Sequence, residues 1–133
     1  MSEARILHPA DLKVYERGGG ARTIPLVSEK LGATSFINGI TEFGPGAQIA
    51  WHFHNCEESV MLLEGEAVFD IGDEHFPLVP QDTTFIPAGV PHRFRNASDT
   101  KGMKIFWIYG RVDANRTLVE TGETRMVSAE HKD

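Results

Sequence analysis

A chain of 133 residues is long enough to bury one core but not two, so a single domain is expected. A formal charge of −6 and a pI near 5.5 argue against a nucleic-acid partner held through phosphate contacts. No apolar run approaches the ~20 residues of a membrane-spanning helix. The stretch from Met1 to Pro9 has no apolar signal core, so no membrane association and a cytoplasmic location are expected.

In chain order, residues 1–17 read as an ordered arm with a first strand or turn at Lys13-Val14-Tyr15. Gly18-Gly19-Gly20 then breaks regularity and is expected to act as a flexible joint. Ala21 to Val27 is a short extended segment in which Pro25 marks an edge. Ser28 to Gly32 is a turn, and Ala33 to Phe43 a strand pair or one long bent strand, with a bulge allowed at Gly39. Gly44-Pro45-Gly46 closes it in a tight turn.

Gln48 to His54 alternates polar or small residues with apolar ones, the period of a half-buried strand. Residues two apart on a strand share a face, with Cα atoms about 6.5 Å apart, so His52 and His54 project together. On a helix the same spacing would split them. Gln48 falls on the His52 face by the same parity. The Asn55-Cys56-Glu57 connection is hairpin-sized, so Glu58 is expected to return antiparallel beside His54, with Glu57 facing solvent. Cys56 is the only cysteine, which excludes a disulfide within the chain and leaves a small apolar filler.

Val60 to Leu63, Ala67 to Ile71, His75 to Val79 and Thr83 to Ile86 read as short strands separated by Gly-, Asp- and Pro-containing turns. His75 lies beside a loop with no partner at ligand spacing and reads as a solvated residue. Pro87-Ala88-Gly89-Val90-Pro91 is a turn that delivers His92-Arg93-Phe94-Arg95-Asn96, where His92 and Phe94 share the inner face and both arginines the other. Met103 to Tyr109 is apolar on both faces after Lys104, as in a strand buried on both sides or at a subunit interface. The tail from Arg111 is polar, with Thr117-Leu118-Val119 as an edge strand and Ala129 to Asp133 frayed. Short strands with turns at this spacing indicate an all-β sandwich or barrel.

Three imidazoles and one carboxylate fit a borderline divalent metal (Fe, Mn, Ni, Zn, Co or Cu), with one or two coordination positions left open. Mg and Ca prefer oxygen donors. Beyond chemistry, the spacing Gly46-x5-His52-x-His54-x3-Glu58-x6-Gly65 resembles the first motif of the cupin superfamily. Gln81-x5-Pro87-x-Gly89-x2-His92-x3-Asn96 resembles the second, with Gln81 where the family usually has Gly. The resemblance implies a double-stranded β-helix, or jelly-roll barrel, with its core over about residues 33–110, an N-terminal arm over 1–32 and a C-terminal extension over 111–133. It also implies that His52, His54, Glu58 and His92 are the metal ligands, and that two copies pair as a homodimer by exchanging N-terminal strands.

Gln48, Phe94 and Tyr109 are the candidate substrate-contacting residues: Gln48 to orient a substrate or a metal-bound water, Phe94 with Phe106 or Trp107 as an apolar wall, and Tyr109 as an acid with no base paired to it. Arg22, Arg93, Arg95, Arg111 and Arg116 are candidates for a carboxylate clamp, most of them expected in solvent or in surface pairs. The resemblance implies a metal-dependent enzyme, of oxygenase or lyase type, acting on a small oxygenated carboxylate or carbonyl compound. A non-catalytic small-molecule-binding module and a metal-dependent sugar or keto-acid isomerase are the alternatives.

Overall fold

A computed structural model describes residues 3–131, which form two six-stranded sheets with every strand pair antiparallel. The first sheet runs β1 (Tyr15–Gly18), β2 (Ala21–Pro25), β3 (Ile37–Phe43), β10 (Met103–Tyr109), β5 (Glu58–Glu64) and β8 (Thr83–Ile86) in spatial order. The second runs β12 (Thr124–Met126), β11 (Asn115–Leu118), β4 (His52–His54), β9 (His92–Asn96), β6 (Ala67–Ile71) and β7 (Glu74–Leu78). This is the double-stranded β-helix arrangement, although among the described residues no strand pairs across to close the two sheets into a barrel. Among the described residues no helix is long and apolar enough to cross a membrane.

The sheets meet through the period-two pattern of their strands. In β3 and β10 every second residue is buried, so Ile37, Phe43, Met103, Ile105, Trp107 and Tyr109 face inward. Phe94, Phe69 and Ala67 meet them from the second sheet. Burying a side chain of this size contributes about 1.5–3 kcal/mol relative to exposure. β10 sits between β3 and β5, and its outward-facing Phe106 and Ile108 are only partly covered by neighbours such as Ile40 and Met61.

Several expectations are corrected. In the arm and the extension, β1 and β2 lengthen the first sheet beyond β3, and β11 and β12 lengthen the second beyond β4. The glycine triplet is the turn between β1 and β2, with φ of 82°, 63° and 86° at Gly18, Gly19 and Gly20, a left-handed run that L side chains rarely adopt. Residues 33–36 lie outside β3, and Gly39 makes no bulge; a Cβ there would lie 2.4 Å from the Trp107 ring, so its bare backbone is the floor on which the indole packs. Glu58 does not return on a strand paired antiparallel with that of His54, because Asn55-Cys56-Glu57 carries the chain from one sheet to the other and β5 pairs with β10 and β8 instead.

The C-terminal segment is ordered as far as His131, in a short 3-10 turn that buries Val127 and His131; residues 132 and 133 lie outside the described range. Gln81 is the one non-glycine residue with positive φ, 81°, among the described residues. A left-handed turn is what the glycine of the family pattern would supply at that position.

Candidate metal centre

A three-residue strand of the second sheet sets the geometry. β4 presents His52 and His54 to the interior and leaves Phe53 half-buried. In the β4–β9 ladder His52 sits directly opposite His92, with ring centroids 4.5 Å apart. The His54 ring is 4.9 Å from His52 and 5.7 Å from His92. One ligand atom from each of the three lies within 4.8 Å of the others, and all three residues are buried.

Backbone carbonyls hold the three rings in one tautomer. His52 Nδ1 is 2.7 Å from the Ala50 oxygen, His54 Nδ1 2.8 Å from the Asn115 oxygen, and His92 Nδ1 2.8 Å from the Val90 oxygen. A carbonyl only accepts, so each Nδ1–H donates and each Nε2 turns a lone pair to the common centre. Burial, with the neighbouring imidazoles, pulls the His52 pKa down to about 3. Burial also lowers His54, against the opposing charge of Glu58. Neutral imidazoles are the form that ligates.

Glu58 enters from the opposite sheet, at the first residue of β5. Its Oε1 is 2.8 Å from His92 Nε2 and its Oε2 3.7 Å from His54 Nε2. Burial alone would raise this carboxyl's pKa, but the His92 hydrogen bond and the charges of the surrounding imidazoles outweigh it, so it stays below the usual carboxylate range. With the His92 Nδ1–H already given to Val90, the Nε2 lone pair confronts a carboxylate oxygen. Such a contact holds only with a cation between the two, a proton or a metal ion. His54 Nε2 is buried with no hydrogen-bond partner at all. A borderline divalent ion fits this donor set.

Around the centre, Phe94 and Trp107 wall a narrow inner space that also reaches Glu58, Tyr109 and His131. Trp107, not Phe106, supplies the wall, and its indole N–H donates to Thr41 Oγ1 at 2.9 Å. Tyr109 packs 4.5 Å from the His54 ring. Its phenol accepts from Arg116 Nη2 at 3.3 Å, and burial together with the Glu58 charge pushes its pKa well up.

Gln48 is exposed and bridges to the outward-facing Arg95, so the alternation loses phase between Gln48 and His52. It nonetheless borders the outer cavity, about 400 Å³, which reaches His52 and is rimmed by Gly18, Gly19, Arg17, Arg116 and Glu130.

Of the five arginines considered for a clamp, only Arg116 reaches the centre. Arg93 and Arg95 hold the buried Asp70 on the far side of the second sheet, where the exposed His75 joins them at 2.6 Å. Arg22 pairs with Glu42 and Arg111 with Asp113. Arg17, Glu130 and His131 went unforeseen, because nothing local in the two chain ends shows that they fold over the cavity.

A model of the cupin domain matches residues 39–109, more than half of the chain. The chain belongs to the cupin family. This cupin is 33% identical over 135 residues to the protein SchB of Streptomyces halstedii, covering 95% of this chain and 97% of that one. It is 38% identical over 92 residues to the polyketide synthase CurC of Streptomyces cyaneus, a match covering 68% of the cupin but 59% of that relative. Among solved structures it resembles the polyketide cyclase RemF of Streptomyces resistomycificus with a TM-score of 0.75, 22% identity, and 94% and 86% of the two chains covered. Likeness at that identity shows the fold.

Proposed function

We propose that this cupin is a metal-dependent enzyme that closes a ring in an enolisable poly-carbonyl compound of the polyketide type. The observation that carries the proposal is the commitment of all three Nδ1 atoms to backbone carbonyls, which leaves three Nε2 atoms converging beside Glu58 below an open cavity. His52, His54, His92 and Glu58 would hold the ion. When bound, a divalent metal supplies Lewis acidity toward a carbonyl oxygen and favours charge developing there.

The chain's own residues do the rest. Tyr109 keeps its phenolic proton, since burial and the Glu58 charge disfavour the phenolate, and Arg116 fixes the direction of its oxygen. It is thereby placed to give a hydrogen bond to an oxygen that gains charge. Phe94 and Trp107 keep water from the inner wall. In the ring closure, the carbon between two carbonyls loses its proton to water, its electron pair attacks a more distant carbonyl carbon of the same molecule, and that carbonyl oxygen takes a proton from water. Loss of water then completes an aromatic ring, with no oxidant needed. The match to the polyketide synthase CurC supports this choice of compound.

The test is incubation of metal-loaded protein with a linear tetraketone whose carbonyls alternate with methylene groups, followed by mass spectrometry and NMR. Ring closure with loss of one water is expected, together with deuterium uptake at the carbon between carbonyls. Stoichiometric O₂ consumption without ring closure would instead establish oxygenase chemistry. Tight binding with no conversion would establish a binding module.

A further inference from the structure

The outer cavity contains an ion cluster that the ligand set does not use. Arg17 at the end of β1 and Arg116 in β11 reach it from opposite ends of the chain, and Glu130 enters on the C-terminal turn. Glu130 Oε2 accepts from Arg17 Nη2 and from Arg116 Nη1, each at 2.6 Å. All three side chains are largely buried, with 11–15% of their surface exposed. Arg17 Nη1 also donates to Thr23 Oγ1 at 3.3 Å, and Arg116 Nη2 to the Tyr109 phenol at the same distance.

Three features are odd for an ion pair whose only task is to hold the tail. Glu130 Oε1 and Arg116 Nε are both buried without a hydrogen-bond partner, so neither the carboxylate nor the guanidinium is saturated. Two cations share one anion, leaving the cluster with a net charge of +1 by simple addition. The cluster also opens onto the same cavity as His52, and the Glu130 charge is felt at His54. Burial raises the Glu130 pKa, which marks the carboxylate as poorly solvated where it stands.

We infer that Arg17 and Arg116 form the anchor for an anionic oxygen of the substrate, a carboxylate or an enolate, and that Glu130 is an internal competitor which occupies this anchor until the substrate displaces it. Exchange of one carboxylate for another keeps both guanidiniums paired, so displacement leaves no buried cation without a partner. The turn is held on both sides of Glu130, by Val127 through its buried side chain and its N–H to the Ala114 oxygen at 2.9 Å and by the buried His131 ring stacked on Trp107, so displacement turns out the Glu130 side chain and loosens the backbone between these two points. The inference rests on the metal-site proposal for the class of compound, which pairs a carbonyl oxygen at the imidazoles with an acidic oxygen at the arginines.

The experiment titrates malonate, a small dianion with two carboxylates, into full-length protein with and without zinc, by calorimetry. Glu130→Gln should bind malonate about ten-fold more tightly than the wild type, and Arg116→Gln at least ten-fold more weakly. Zinc content should be unchanged in both. In the wild type, malonate should raise amide hydrogen exchange over residues 128–131 while β5 and β10 stay protected.

Equal affinities in wild type and Glu130→Gln would overturn the inference, as would exchange in the tail that malonate leaves untouched. The exchange measurement keeps the test valid if either variant folds poorly. Should zinc fail to bind while the Glu130 effect persists in the zinc-free protein, the anchor stands and the metal-enzyme proposal falls.

Discussion

Each of the four side chains proposed to hold the ion has one defined task, and removing one should have a specific result. His54 is the imidazole whose Nε2 has no protein partner, so His54→Ala should lower zinc affinity by on the order of 100-fold or more, beyond the ~10–100-fold lost with an outer hydrogen-bond partner. The β-sheet circular dichroism should be retained. Metal analysis of the dialysed variant tests this, and occupancy equal to wild type would remove His54 from the ligand set.

The imidazoles also set an acid limit. The His52 pKa is near 3 and that of His131 near 4 in the fold, both drawn down chiefly by burial, against about 6.5 in an unfolded chain. Between those values the unfolded chain binds protons that the folded one does not. Stability from these groups is therefore complete above pH 6.5 and declines as pH falls toward 3. The metal-free protein should show a melting temperature that falls steadily from pH 7 to pH 4. A flat profile over that window would mean these rings are not buried in solution.

The convergence of His52, His54 and His92 was readable in the sequence, since it depends on parity within short strands. Arg17 and Glu130 were not, since their place depends on which strand edges the two chain ends find.

At the scale of strands and turns, two positions make opposite predictions. Gly39 lies under the Trp107 ring, and a Cβ there would also come 2.8 Å from the Ile24 oxygen. Gly39→Ala should therefore cost at least about 1–3 kcal/mol, the usual toll of overpacking, read as a lower urea midpoint. Gln81 holds a left-handed φ of 81° that a glycine would accept without strain. Gln81→Gly should raise stability by about 0.5–1 kcal/mol, the strain released being partly offset by a freer unfolded chain. A destabilised Gln81→Gly would show that the side chain itself is needed there.

The crossing of Asn55-Cys56-Glu57 shows why strand pairing was misread where strand existence was not. A three-residue link suits a hairpin and a change of sheet equally well, and the choice is made by where the apolar faces of Val60 and Leu62 find cover. The same alternation that placed His92 and Phe94 inward failed for Gln48, because the chain between Gln48 and His52 leaves regular strand geometry.

For the molecule as a whole, the outer face of the first sheet suggests a second copy. Ile40, Phe106 and Met61 lie in one cross-strand row, and Ile108, Ser59 and Phe85 in the next, with Phe85 66% exposed. Glu42, Lys104 and Glu64 lie beside them as a row of alternating charge that two copies can match. We propose a homodimer through this face. Light scattering should give about twice the chain mass of 14.8 kDa, and Phe106→Lys should return it to one. A monomer at every concentration would sink the proposal.

The second sheet has a narrow waist. Its halves, β12-β11-β4 and β9-β6-β7, are joined in the ladder by the single registered pair His52–His92, supplemented by the Gln48–Arg95 bridge. An ion gripped by those same two rings would therefore rivet one half-sheet to the other. Stripping it should let β11 and β12 breathe long before β6 and β7 do, so a chelator would slacken the lip of the cavity as well as emptying its floor.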